Sequence, residues 1–131
     1  MAVAVLLVTH GKLGADLVNT VTEMIGEAPM PLGVVDIHRT QDPDEMVQQT
    51  LDKAQALDSG DGVLMLTDAF GSTPSNIAMR AAESCQARVV AGLNLPMLVR
   101  IFNYPELELE AMTQGVVKGG RQGILVADEN N

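Results

Sequence analysis

Val3-Ala-Val-Leu-Leu-Val-Thr-His-Gly11 decides the fold. From Val3 to Thr9 the run is apolar on nearly every position and rich in β-branched residues, the pattern of a strand buried on both faces rather than one alternating at a surface. A histidine and a glycine end it abruptly. Leu13, Leu17, Val18, Val21 and Ile25 then mark a helical stripe closed by Gly26, so the first unit reads strand, turn, helix. The alternation continues with a strand over Leu32 to Ile37 and a helix opened by Asp42-Pro43-Asp44-Glu45 that runs to about Leu57. A third strand covers Gly62 to Asp68, a helix follows Phe70-Gly-Ser-Thr-Pro-Ser-Asn76 to about Cys85, and a fourth strand covers Arg88 to Leu93. Pro96 reads as opening a short helix to about Phe102, and Pro105 as starting another through about Val117. Gly119-Gly120 then read as a break before a last short strand at Gly123 to Val126.

Strands alternating with helices at this spacing imply a mostly parallel, doubly wound α/β sheet, a three-layer sandwich. The 131 residues fit a single domain over 1–131. With 8 Lys+Arg against 17 Asp+Glu the formal charge is −9 and no basic cluster appears, so nucleic acid is an unsuitable partner. Aromatic residues are only 2% of the chain, which leaves no stacking platform and makes the core aliphatic. The longest apolar run, Ala2 to Val8, is far short of the ~20 residues that cross a bilayer. One cysteine, Cys85, and no secretory leader point to a cytoplasmic protein. No metal-ligand spacing, Walker lysine motif or G-x-G-x-x-G occurs, so neither a metal nor another cofactor is expected.

In doubly wound sheets the reactive groups lie beyond the carboxyl ends of the strands. That rule gathers Thr9, His10 and Gly11, the stretch Asp68 to Asn76, Asn94 to Pro96, and His38 with Arg39 at one edge. His10 beside a glycine suits a nucleophile that another protein must approach. An imidazole that takes a phosphoryl group needs one nitrogen with a free lone pair, so the other must carry the proton and meet an acceptor. Asp68 is the acceptor in reach, fixing tautomer and ring orientation. Gly71, Ser72, Thr73 and Ser75 would bind phosphoryl oxygens through hydroxyls and helix N-terminal N–H groups. The same residues also read as a satisfied polar strand terminus and an ordinary helix N-cap. His38 reads first as a solvated strand terminus and second as a further relay or an orienting group, and Cys85 as structural.

Three blocks carry a resemblance: Val8-Thr-His-Gly11, Gly62-Val-Leu-Met-Leu-Thr-Asp-Ala-Phe-Gly-Ser-Thr-Pro-Ser-Asn76, and Ala91-Gly-Leu-Asn-Leu-Pro-Met-Leu98. In order and spacing the chain resembles the mannose-type IIA component of the bacterial phosphoenolpyruvate-dependent sugar phosphotransferase system. The middle block is the specific one. Where the family often has a hydroxyl residue, Trp and Ser, this chain has Ala69, Phe70 and Thr73.

The resemblance implies that His10 accepts a phosphoryl group from the phosphocarrier HPr and passes it to a IIB component, and through it to a membrane IIC/IID transporter where one is present. It implies that Asp68 orients His10, that the Ser72/Thr73 loop binds phosphoryl oxygens, and that no metal takes part. Four parallel strands in the order 2-1-3-4 are expected, with Gly123 to Val126 as a further strand, antiparallel and exchanged in a homodimer. The 131 residues hold no IIB segment, so the expectation is a separate relay component acting in transport or in regulation. Two other readings stay open: the phosphotransfer subunit of dihydroxyacetone kinase, and a non-catalytic regulatory module. A response-regulator receiver is excluded, because the first strand ends in Thr9-His10 where an acidic pair for Mg²⁺ is required.

Overall fold

Residues 2–128 are described by a computed structural model. The elements are β1 (Ala4–His10), α1 (Leu13–Ile25), β2 (Leu32–Ile37), α2 (Pro43–Leu57), β3 (Val63–Thr67), α3 (Thr73–Ala82), β4 (Ala87–Ala91), α4 (Leu95–Asn103) and α5 (Leu109–Gln122). They form one sheet of four parallel strands in the order β2-β1-β3-β4. This is the expected doubly wound α/β fold.

The continuous apolar runs resolve into two alternating sets. Val3, Val5 and Leu7 with Leu64 and Leu66 face α1, α4 and α5, whereas Ala4, Leu6 and Val8 with Val63 and Met65 face α2 and α3. All five residues of β3 are buried. Each large aliphatic side chain removed from water in this way contributes about 1.5–3 kcal/mol. The two outer strands differ from the inner pair, and β4 has no buried residue at all.

Four helices begin at the carboxyl edge of the sheet, and each start is satisfied locally. Thr9 Oγ1 accepts the Gly14 N–H at 2.8 Å, Asp42 accepts from Asp44, Ser72 from Ser75, and Asn94 from Met97. Those caps orient four positive helix ends toward one rim. No helix among the described residues is long and apolar enough to cross a membrane.

Two expectations are corrected, and the expected exchanged strand concerns a second copy: within one chain Gly123 caps α5, and Ile124 to Val126 are exposed coil with no partner strand among the described residues. Gly119-Gly120 does not break α5, which continues to Gln122. A Cβ on Gly120 would stand 2.7 Å from Met97 Cγ, and one on Gly119 would stand 3.2 Å from Arg100 Cβ, so these glycines admit close packing against α4. Pro105 lies in a turn and α5 starts only at Leu109, because a proline's fixed φ suits a turn as well as a helix start.

Candidate functional site

The strand order places β1 between β2 and β3, so the residue ending β1 has a neighbour from each side. His10 pairs in register with Ile37 of β2, and Val8 pairs with Thr67 of β3, which brings Asp68 up beside His10. Alternation along β1 then divides the labour. Thr9 is buried toward α1, and His10 turns to the α2/α3 side, with 56% of its side chain exposed.

Asp68 holds this histidine at two points. Its Oδ2 accepts the His10 backbone N–H at 3.0 Å and lies 2.7 Å from His10 Nδ1. An ionised carboxylate only accepts, so Nδ1 carries the hydrogen and Nε2 of the neutral ring keeps its lone pair. Oδ1 accepts the Ala69 N–H at 3.1 Å, which fixes the carboxylate itself. Burial of the Asp68 side chain, 9% exposed, works against ionisation, but the His10 backbone and ring N–H groups outweigh it and hold the pKa below the ordinary carboxylate value. The arrangement leaves an exposed imidazole with a defined tautomer, oriented as a nucleophile requires.

The loop after β3 turns at Gly71, whose φ of 81° is open to glycine with little strain. Ser72 is the α3 N-cap: its Oγ accepts the Ser75 N–H at 3.5 Å and donates to the Ala69 carbonyl at 2.6 Å. Thr73 opens the helix and lines a cleft shared with His10. Ser75 is fully buried and its hydroxyl has no hydrogen-bond partner, so it does not present an oxygen to the cleft. Of the four residues expected to bind phosphoryl oxygens, Gly71 and Thr73 are exposed, and the Ser72 hydroxyl is engaged within its own loop.

His38 and Arg39 line the same cleft as His10. The sequence placed both at this edge, but singled out neither as a wall of the His10 cleft. The signal that could have done so is the strand order, which makes the residues after β2 neighbours of those after β1. Cys85 lies elsewhere, its thiol pKa pushed up by burial and by the Asp58 carboxylate. Among the described residues no group of three His, Cys, Asp or Glu side chains is placed to hold a metal ion.

The family model EIIA-man, described as "PTS system fructose IIA component", matches residues 4–116. The mannose-specific EIIAB component of the phosphotransferase system from Escherichia coli K12 is 28% identical over 127 residues, covering 95% of this chain. This chain spans only 39% of that relative's length. The transcriptional regulatory protein LevR of Bacillus subtilis is 28% identical over 120 residues, 88% of this chain and 13% of LevR. Among solved structures, the mannose/sorbose-specific IIA subunit from Enterococcus faecalis superposes with a TM-score of 0.87 at 23% identity, covering 100% of this chain and 98% of that one. A sigma-54 interaction domain protein from the same organism shares the fold with a TM-score of 0.74 at 16% identity, covering 92% of each chain. A match over residues 4–116, joined to the strand order found here, means that the chain belongs to the EIIA-man family of phosphotransferase system IIA components.

Proposed function

We propose that this chain is a phosphohistidine carrier in which His10 accepts a phosphoryl group from HPr and passes it to a IIB component. The observation that carries the reading is the 2.7 Å contact between His10 Nδ1 and Asp68 Oδ2 on an exposed ring. In the transfer, His10 Nε2 attacks phosphorus and an N–P bond forms as the donor's N–P bond breaks. The donor ring nitrogen leaves with the bonding pair. The Nδ1 proton stays on His10, and Asp68 favours the positive character that develops on the ring as Nε2 is substituted. The Thr73 hydroxyl and the Gly71 and Thr73 N–H groups stand ready for the equatorial oxygens, while Ser72 holds the loop in shape and takes up the Ser75 N–H. A metal has no part in this scheme.

The acceptor IIB would in turn serve a membrane IIC/IID transporter, and the working compartment would be the cytoplasm. We further propose a homodimer. β4 is an outer strand with no buried residue, while Ile124, Leu125 and Val126 are 76%, 69% and 58% exposed, so an edge and an apolar segment are both unpaired. The LevR relative supports a second setting, in which the phosphorylated state of His10 is a signal rather than a step in sugar uptake.

Reconstitution with phosphoenolpyruvate, enzyme I and HPr tests the assignment. Acid-labile, alkali-stable phosphate should map to His10 and vanish in His10→Ala. Equal labelling of His10→Ala would sink it. Onward transfer to a IIB protein supports the carrier reading, transfer to a kinase-bound nucleotide the dihydroxyacetone kinase reading, and no labelling at all a binding module.

A further inference from the structure

His10 has two strand neighbours, and the second, β2, also brings chemistry to it. Asp68 closes on the ring from the β3 side. From the β2 side, His38 and Arg39 reach a cleft of about 320 Å³ whose polar lining is completed by His10, Gln41 and Thr73 over an apolar floor. No carboxylate lines this cleft, on a chain whose net charge is −9. Two of the three acidic residues that open α2 are turned to other work, since Asp42 accepts the Asp44 N–H and Asp44 pairs with Arg80 at 2.8 Å; the third, Glu45, does not line the cleft.

Two further features fix the wall. Gln41 bridges the turn after β2: its Oε1 accepts the His38 N–H at 2.7 Å, and its own N–H donates to the His38 carbonyl at 3.2 Å. Gly11 packs beside the His38 ring, and its backbone rather than crowding calls for glycine. A Cβ on Gly11 would stand 4.0 Å from His38 Cε1, and its φ of 47° is strained for other residues. A guanidinium, two imidazoles and a threonine around one cleft match a tetrahedral oxyanion, with the guanidinium fork suited to two of its oxygens.

We propose that His38 and Arg39 form a second oxyanion wall that binds the phosphoryl group carried on His10 from the side opposite Asp68. This rests on His10 being the phosphoryl acceptor. The α3 loop then supplies backbone N–H groups and the Thr73 hydroxyl, and the β2 turn supplies the compensating positive charge. The wall raises the affinity of this chain for the phosphoryl group itself, rather than for the protein that delivers it.

That distinction sets the experiment. The equilibrium constant between phosphorylated HPr and this chain depends on the free proteins alone, whereas a docking residue changes only rates and KM. In His38→Gln/Arg39→Gln the equilibrium should move toward phosphorylated HPr by roughly tenfold, with Arg39→Lys alone recovering part of any Arg39→Gln loss. An unchanged equilibrium with a raised KM overturns the proposal and makes these residues a docking contact. A second arm needs no phosphorylation: inorganic phosphate is titrated against chloride at equal ionic strength while the His38 Cε1–H resonance is followed. Saturable, phosphate-specific shifts should appear in the wild type and in His10→Gln, and Arg39→Gln should weaken the binding. Phosphate and chloride giving identical shifts overturns the proposal. Phosphate binding without any labelling of His10 keeps the oxyanion wall and removes the carrier reading.

Discussion

Asp68 Oδ2 touches His10 twice, through the backbone N–H at 3.0 Å and through Nδ1 at 2.7 Å. One oxygen therefore fixes both where the residue sits and which ring nitrogen is free. Asp68→Asn keeps the shape but weakens a charge-assisted hydrogen bond to the ring. Such bonds contribute about 1.5–3 kcal/mol, so phosphorylation of His10 should slow by roughly 10- to 150-fold. Initial rates of labelling from phosphorylated HPr, with circular dichroism to show an intact fold, measure this. A rate equal to wild type removes Asp68 from the mechanism.

The same contact has a pH signature. The folded-state pKa of Asp68 lies below its ordinary value because burial, which raises it, is outweighed by the His10 donors. A depressed carboxylate contributes stability above its unfolded pKa of about 4 and loses it as pH falls through the folded value. Thermal unfolding of wild type and Asp68→Asn should accordingly differ most near neutral pH and converge as the pH falls below the ordinary carboxylate range. A gap that stays constant across that range contradicts the assignment.

The three hydroxyl residues of the α3 start should separate by phenotype. Ser72→Ala removes the N-cap and should cost about 0.5–2 kcal/mol of stability. Thr73→Ala, exposed in the His10 cleft, should leave stability within about 0.5 kcal/mol and slow phosphoryl transfer instead. Ser75→Ala removes a buried hydroxyl without a partner and should be neutral or stabilising. Chemical denaturation and transfer kinetics on the three variants decide between capping and phosphoryl binding.

Gly14 supports the site from below. A Cβ there would lie 2.9 Å from Thr9 Oγ1, 3.2 Å from Val34 Cγ1 and 3.3 Å from Leu7 Cβ, all on strands that have little room to give. Overpacking of this kind costs about 1–3 kcal/mol, against up to about 1 kcal/mol gained in helix propensity, so Gly14→Ala should be net destabilising. A midpoint of urea unfolding equal to or above wild type contradicts that packing.

Leu125→Asp should shift the proposed dimer toward monomer by more than tenfold in dissociation constant without altering the fold, read by sedimentation equilibrium. Identical masses for variant and wild type across dilution place the dimer contact elsewhere or remove it.

Much of the fold was legible because β1 and β3 are buried on both faces, and a run such as Val3 to Thr9 has no other stable use in a chain this short. The meeting of His10 with Asp68 was legible through the rule that reactive groups gather past the strand ends. The tail was not legible. Gly119-Gly120 look like a stop signal in isolation, and only the proximity of Met97 and Arg100 shows that their missing side chains serve helix packing. Ser75 misled in the opposite sense: its residue type suits a cleft, but its place in the first turn of α3 points it inward. Arg39 carries no local pattern, and its relevance depends on β2 lying next to β1.

The acceptor of the His10 amide proton arrives from 58 residues further along the chain. Nothing short of the β1–β3 pairing, with α1, β2 and α2 intervening along the chain, brings that carboxylate home. Only a chain folded through β3 therefore pairs His10 with Asp68, and protection of the His10 amide proton from exchange should mark the moment that pair forms. A destabilised variant should lose its capacity for phosphate as whole molecules drop out of the folded population, each survivor fully competent.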